Sequence, residues 1–430
     1  MDNTDLNLAA TLKDSLLDFL DSFASAYRLK EITTNLELDK ITYLSELLGF
    51  RIYNKYGLKL CKVTANALGH SIADPLEYEL RYQLGIYNCR GLVLYDQATV
   101  ANRFLFESNW LGSIIFLEHS QAFALLNNSC HQGSYFLDLS GNCSTKRRNN
   151  YASWTSSSRI KSIHFPDFSF LFPEETYNIY REMAEVSGLT SKPFICLHIR
   201  EPGYSSEIGE ISDYNHRNCN MNAIIESYDF LHSLGYIIVK MGRSHMRSIK
   251  HPGVFDYATS IYARPDIDIL LSQNCEFWLA DGSGAVLYSL LTRKRLYSFN
   301  LTLPAFTYYK PGDISIFKRP LDSATGIPLS IPQLFLRGLD TADGASFFKS
   351  NKVSFIDNSS SEILSLTQIA CQLNARCEDD RSKLEMCLFN HYTNRLFRSL
   401  VPADSYFSLT DSIVDPTFLA KHDYLLRFPL

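Results

Sequence analysis

Phe194-Ile195-Cys196-Leu197-His198-Ile199 is an apolar run of strand length, and Tyr236-Ile237-Ile238-Val239-Lys240-Met241 is another. Between them Ile224, Ile225, Tyr228, Leu231 and Leu234 recur at helical spacing, with Gly235 as a stop. The alternation continues downstream. Residues 254–258 read as a third strand, 266–272 as a short helix and 276–280 as a fourth strand. Asp281-Gly282-Ser283-Gly284 follows, then a helical pattern at 285–291 and a strand at 295–299. Strands alternating with helices predict an α/β fold with a parallel sheet.

Upstream, Leu12, Leu16, Phe19 and Leu20 place residues 1–35 in helix. Residues 60–63 and 92–94 are strand-like. Residues 67–75 between them read as a loop, followed by a helical pattern at 76–84. Residues 127–162 are polar and carry Lys146, Arg147, Arg148, Arg159 and Lys161. They read as a long excursion: a solvated face, or a lid or strip for an acidic acceptor. Phe172-Pro173-Glu174-Glu175 opens a helix that Gly188 can end. Beyond residue 332, Val353–Ile356 is strand-like, and the serines 359–361 with Glu362 cap a further helix.

The 430 residues include 41 Lys and Arg against 46 Asp and Glu, a net charge of −5. With 46% hydrophobic and 20% charged residues, a disordered or low-complexity chain is excluded. A core of this size needs no disulfide or metal staple. The acidic total argues against a nucleic-acid partner. The 10 cysteines are scattered without a C-x-x-C pair, so reduced thiols in a cytoplasm are expected, with no metal site. The acidic start Met1-Asp2-Asn3-Thr4-Asp5 lacks the basic residues of a signal peptide. No apolar stretch reaches the roughly 18 residues of a membrane helix, and peripheral membrane contact stays open.

In open α/β sheets, ligands bind beyond the carboxyl ends of the strands. Those ends carry His198 and Arg200, then Gly242 and Arg243, then Asp281, Gly282, Ser283 and Gly284, then Asn300. Arginine presents a rigid fork of donors to phosphate oxygens. A Gly-Ser-Gly turn before a helix exposes backbone N–H groups to an anion. Together they suit a phosphate-bearing ligand. Neither G-x-G-x-x-G nor the P-loop pattern occurs, which disfavours a dinucleotide fold or a P-loop ATPase. Each residue also has a plainer use: His198 as a core histidine, Arg200 paired with Glu201, the glycines as a simple turn.

The run from Phe194 through His198, Arg200, Glu201, Pro202 and Gly203 to Tyr204 resembles the H-x-R-D-x-G-Y element of a poorly characterised family of bacterial glycosyltransferases. Arg217-Asn218 resembles the family's R-N element, Lys240-Met241-Gly242 its R-M-G element, and Asp281-Gly282-Ser283-Gly284 its S-G turn. Phe418-Leu419 with Tyr424-Leu425-Leu426 resembles its closing segment, and Leu68-Gly69-His70 its I-G-H turn. The H-x-R element is also similar to that of the fucosyltransferase superfamily, whose arginine contacts the donor diphosphate. The chain departs from the pattern at Glu201-Pro202, at Lys240 in place of Arg, and at Arg243 where an acid is common.

The resemblance implies a GT-B-like architecture of two facing Rossmann-like domains with a C-terminal helical return segment. The expected divisions are a helical segment at 1–36, an acceptor domain at 37–188, a nucleotide-sugar domain at 189–335, and a segment at 336–430 packing back across both. The implied activity is transfer of a sugar from a nucleotide-sugar co-substrate, a GDP-sugar for preference, to a glycan or glycoconjugate. Inversion is expected, with no cofactor and no metal. Arg200 is assigned to the donor diphosphate, with Arg243, Ser283, Gly284 and His198 beside it. Arg217, Asn218, Gly242 and Gly282 complete the donor set. Asp281, Asp266 or Asp268 would orient Arg200 or meet the ribose. His70 is the expected base, unless it only packs its turn, and Asp74 is the reserve. A nucleotide-sugar epimerase and a non-catalytic nucleotide- or sugar-binding protein are the rival readings.

Overall fold

The computed structural model describes residues 3–83, 85–108, 110–129, 136–139, 168–201, 215–244, 246–302, 312–339, 345–374, 378–390, 395–396, 399–400 and 413–427. They form two compact units. The first lies within Met1–Asn150 and adds Phe168–Leu171; the second lies within Phe172–Leu430.

The first unit contains α1 (Asn3–Ala26), α2 (Leu29–Thr34), α3 (Leu38–Tyr56), β1 (Leu58–Lys62), α4 (Leu68–Gln83), β2 (Arg90–Tyr95), α5 (Arg103–Glu107), β3 (Ile114–Glu118), α6 (Ser120–Asn127) and β4 (Phe136–Asp138). Its parallel sheet has the order β3-β2-β1-β4. Alternation along the strands brings Leu60, Leu92 and Ile115 into one register row. Ile41, Leu44, Leu48 and Ile52 recur every three or four residues along α3, and they share one core with that row and with Leu16, Leu20 and Phe23 of α1. Leu16, Leu20, Phe23, Ala24 and Leu29 of the segment 1–36 thus belong to the sheet's core. Gly57 ends α3 in the left-handed conformation at φ 67°, where a side chain would be strained.

Of residues 67–75, expected as a loop, Leu68 onward is helical, and α4 runs through Pro75. The ring removes one backbone hydrogen bond, which costs about 3 kcal/mol in a helix interior. Against this, Ile72, Leu76 and Leu80 form a buried stripe at helical spacing, each side chain contributing roughly 1.5–3 kcal/mol. Ser71 Oγ also donates to the carbonyls of Ala65 (2.8 Å) and Ala67 (3.0 Å). Burial therefore outweighs the proline. The stretch expected as a polar excursion contributes β4, which pairs with β1. Lys146, Arg147, Arg148, Arg159 and Lys161 lie outside the described residues.

The second unit contains α7 (Glu174–Ser187), β5 (Phe194–His198), α8 (Ile225–Ser233), β6 (Ile237–Lys240), β7 (Val254–Phe255), α9 (Pro265–Asn274), β8 (Trp278–Ala280), α10 (Leu287–Leu291), β9 (Leu296–Leu301), β10 (Ile314–Phe317), β11 (Arg319–Asp322), α11 (Ile331–Leu336), α12 (Ala345–Ser350), β12 (Val353–Ile356), α13 (Ser360–Asn374), α14 (Glu378–Asn390), β13 (Ile413–Val414) and α15 (Pro416–Lys421). Seven parallel strands form a sheet in the order β13-β10-β9-β8-β5-β6-β7. Cys196, Val239, Trp278 and Leu296 make a fully buried row through its centre. The expected α/β class with parallel sheets is what the chain adopts.

Several elements differ from expectation. The helix after β5 begins as a 3-10 turn, Met221–Ile224, before α8. β10 and β13 extend the sheet beyond β9. β12 pairs antiparallel with β11 in a separate two-stranded sheet. α7 groups with the second unit, where Thr176 Oγ1 donates to Asp266 Oδ2 of α9 at 2.6 Å. The described parts of 336–430 also group there, and α13 packs on α8, β9 and β10.

Both sheets contain a point where the direction of chain advance reverses. In the second unit β5, β6 and β7 step outward, and the chain returns to place β8 on the other side of β5. In the first unit β1, β2 and β3 step outward and β4 lies on the other side of β1. Loops leaving the carboxyl ends of two such strands diverge, which opens a crevice for a ligand.

Candidate functional site

At the β5–β8 reversal three side chains meet. His198, the last residue of β5, has its side chain 12% exposed. Its Nδ1 lies 3.0 Å from Ser283 Oγ and 3.5 Å from Asp281 Oδ1. Asp281 follows β8 and is fully buried. Its Oδ2 accepts the backbone N–H of Arg200, and its own N–H donates to the His198 carbonyl at 3.3 Å. One carboxylate therefore ties the ends of β5 and β8 together and faces the histidine. Nε2 of His198 makes no hydrogen bond among the described residues. Arg200 is 6% exposed, so its guanidinium is held within the fold beside this reversal.

Arg217 and Asn218 precede α8. Arg217 donates from Nε (3.0 Å) and Nη2 (2.6 Å) to the Gly282 carbonyl. Asn218 donates to Asn215 Oδ1 at 3.0 Å, and its carbonyl accepts from Lys318 Nζ at 2.6 Å. Lys318 also pairs with Asp357 Oδ1 at 2.7 Å. The sequence carries no signal for this anchor, because Lys318 is 100 residues from Asn218.

The expectation of a helix N-terminus at Gly282-Ser283-Gly284 is met in reduced form. A 3-10 turn, Gly284–Val286, precedes the five-residue α10. Ser283 Oγ already caps it, accepting from Ala285 N at 3.2 Å. So short a helix adds little dipole, and any anion here relies on local N–H groups and the cations.

Gly242 has φ 147°, a backbone conformation that strains any other residue, and a Cβ there would also crowd Met246 Sδ. The N–H of Arg243 meets the same sulfur at 3.3 Å. The two expected orienting acids have partners on other elements. Asp266 accepts from Arg264 (3.0 and 3.2 Å) and Thr176, fastening α9 to α7. Asp268 accepts from Tyr257 Oη (2.7 Å) and Tyr288 Oη (3.2 Å). Burial pushes its carboxyl up to about 7, against those two hydrogen bonds and the charge of Arg243, and with the charge of Asp266. The helix start directs both side chains to partners on neighbouring helices and turns.

In the first unit, His70 lies in the first turn of α4, beyond β1. Its Nδ1 is 3.0 Å from Asp74 Oδ1, and Asp74 Oδ2 accepts Thr64 N–H at 3.1 Å. Asp74 is 5% exposed. Base and reserve base are therefore one pair at i and i+4, with the acid positioning the imidazole. Reading 67–75 as a loop hid that spacing.

Among the described residues, no cluster of three or more His, Cys, Asp or Glu side chains is placed to hold a metal ion, and no helix is long and apolar enough to cross a membrane. The chain matches no protein-family model. It matches no curated protein. Solved structures that the chain is similar to include the glycosyl transferase family 9 protein from Veillonella parvula, at 11% identity over 73% of this chain and 96% of that one, TM-score 0.43. The E. coli ADP-heptose lps heptosyltransferase II shows 12% identity over 61% of this chain and 90% of its own, TM-score 0.37. The iron-containing dodecameric glycosyltransferase TibC from enterotoxigenic E. coli shows 13% identity over 77% of this chain and 76% of its own, TM-score 0.39. At these TM-scores none of them defines a donor, an acceptor or a reaction for this chain.

Proposed function

We propose that this protein is a glycosyltransferase that moves a sugar from a nucleotide-sugar donor to a hydroxyl of a glycan or glycoconjugate. The observation that supports it is the convergence of His198, Arg200, Asp281 and Ser283 at the reversal point of the larger sheet. The second unit carries the donor residues and the first carries the expected base, His70. The cytoplasmic setting and the GDP preference expected from sequence belong to the same proposal.

Arg200 and Arg243 lie nearest the diphosphate and balance the charge that builds on it as the glycosidic bond breaks. His198 presents Nε2 while Asp281 and Ser283 hold Nδ1. Arg217 keeps the Gly282 turn in place. The 3.0 Å contact from His70 Nδ1 to Asp74 puts the proton on Nδ1 and the lone pair on Nε2. Nε2 takes the acceptor hydroxyl's proton. The acceptor oxygen bonds to the anomeric carbon, and the nucleoside diphosphate departs with the electron pair of the broken bond. Attack opposite the leaving group inverts the centre, and none of these steps calls for a metal.

A thermal-shift panel of ADP, GDP, UDP, CMP and dTDP tests the donor site, since a ligand bound to the native state raises its apparent stability. One nucleotide is expected to stabilise the protein and to lose that effect in Arg200→Ala. No shift from any of them sinks the proposal. Conversion of a nucleotide sugar without acceptor would identify an epimerase, and binding without turnover a non-catalytic protein.

A further inference from the structure

Three neighbouring strands each send one charged residue to the same short stretch of main chain. Glu201 lies just beyond β5, and its Oε2 accepts the N–H of Arg247 at 2.8 Å. Lys240 ends β6, and its Nζ donates to the Arg247 carbonyl. Asp256 follows β7, and its Oδ2 accepts the N–H of Ile249 at 2.8 Å while lying 3.7 Å from Lys240 Nζ. Lys240 is fully buried and Glu201 is 8% exposed, whereas the Arg247 side chain is exposed. Burying an ammonium and two carboxylates is costly unless each is paired and hydrogen-bonded. Here the partners are backbone groups of one segment, so the charges fix where that segment runs.

We propose that Glu201, Lys240 and Asp256 form a charged clamp that positions the main chain at Arg247 and Ile249, and through it Arg243, beside the β5–β8 reversal. The clamp rests on the donor-site reading for its purpose but not for its existence. It also joins two of the three departures from the resembled pattern, those at Glu201 and Lys240. Glutamate at 201 has one methylene more than aspartate and reaches the Arg247 N–H. Lysine at 240 places a compact ammonium on the carbonyl of that same residue, where a planar guanidinium would present a fork. Lys240 therefore does not lie on a phosphate; it acts through the loop as a positioning residue. The short turn inside the loop is set by Met246, whose N–H bonds the Arg243 carbonyl at 3.1 Å and whose sulfur receives the Arg243 N–H.

Two variants test this in the full chain. Glu201→Ala removes one arm. The double change Lys240→Met with Asp256→Ala removes the other two together, so that neither member of that ion pair is left without its partner. Amide exchange of Arg247 and Ile249 should quicken at least tenfold in the matching variant, while β5 and β9 keep their protection. Unchanged exchange in the loop, or equal loss in the strands, overturns the clamp: the first means the residues do not hold the loop, the second that they serve global stability. The nucleotide that stabilises the parent protein is then titrated into both variants. A dissociation constant raised about tenfold or more supports positioning of the donor side; unaltered affinity in a protein with a loosened loop overturns it. If no nucleotide binds the parent, the donor-site reading fails while the exchange result still decides the clamp.

Discussion

Arg217 grips the carbonyl of Gly282 with two nitrogens, Nε at 3.0 Å and Nη2 at 2.6 Å, across 65 residues of sequence. The guanidinium thereby fixes the turn that carries Ser283, the hydroxyl against His198. Hydrogen bonds from a charged donor contribute about 1.5–3 kcal/mol. Arg217→Ala should therefore weaken binding of the stabilising nucleotide by roughly tenfold or more, and calorimetric titration measures it. Arg217→Lys, with one point charge in place of a fork, should recover only part. Full affinity in the alanine variant would show that the turn holds itself.

His70 and Asp74 should act as a unit in the chemical step. Removing a positioned general base lowers rate by about 10²–10⁴. His70→Ala is expected to reduce kcat within that range, and Asp74→Asn to reduce it in the same direction by less. Donor affinity should hold in both. Steady-state kinetics with saturating donor decides this: a collapse of donor affinity with kcat preserved would remove the base role.

Asp268 makes stability depend on pH near neutrality. Its folded-state carboxyl titrates at about 7, above the ordinary 3.8, because burial disfavours the charge. The unfolded chain loses this proton first as pH rises, so the contribution is whole below about 4 and is lost on the way to 7. Asp268→Asn should flatten the fall in urea stability between pH 4.5 and 7 by roughly 2–4 kcal/mol relative to the parent. Parallel pH profiles for the two proteins would contradict the assignment.

Glu362 has the opposite sign. It accepts from His422 Nε2 at 2.5 Å, Lys421 Nζ at 3.1 Å and Ser359 N at 2.9 Å. Burial pushes its carboxyl up, but these hydrogen bonds and the charge of Arg319 prevail and hold it at about 2. Its stabilisation is therefore present above the ordinary 4.5 and is lost as pH falls through about 2. Glu362→Gln should destabilise the protein at neutral pH by about 1–3 kcal/mol, with the gap closing from pH 4.5 downward. Thermal melts across that range check it, and a gap independent of pH would assign the effect to packing.

Much of the larger sheet can be read from sequence, because β5, β6, β8 and β9 are apolar runs with a helical pattern or turn between them. The residues at their ends follow from the same reading, so His198, Arg200, Asp281 and Ser283 read as strand-end residues, and they stand at the ends of β5 and β8. β10 and β13 escaped because four and two residues carry too little pattern. Residues 68–75 are helical where a loop is expected, because a proline is a strong local signal while the burial of Ile72, Leu76 and Leu80 that overrides it is tertiary.

The sequence by itself determined the α/β class, the composition of the strand ends and the helix start at Pro265, since these rest on periodicity and on local backbone chemistry. Only the tertiary structure decided which strands are neighbours. Placing β8 beside β5 brings Asp281 to Arg200 and His198 across about eighty residues, and no local pattern encodes that adjacency. It likewise decided that Asp74 serves His70 and that Lys240 holds the Arg247 peptide in place of a ligand. A side chain's charge is written in the sequence; the group it neutralises is chosen by how the sheet orders its strands.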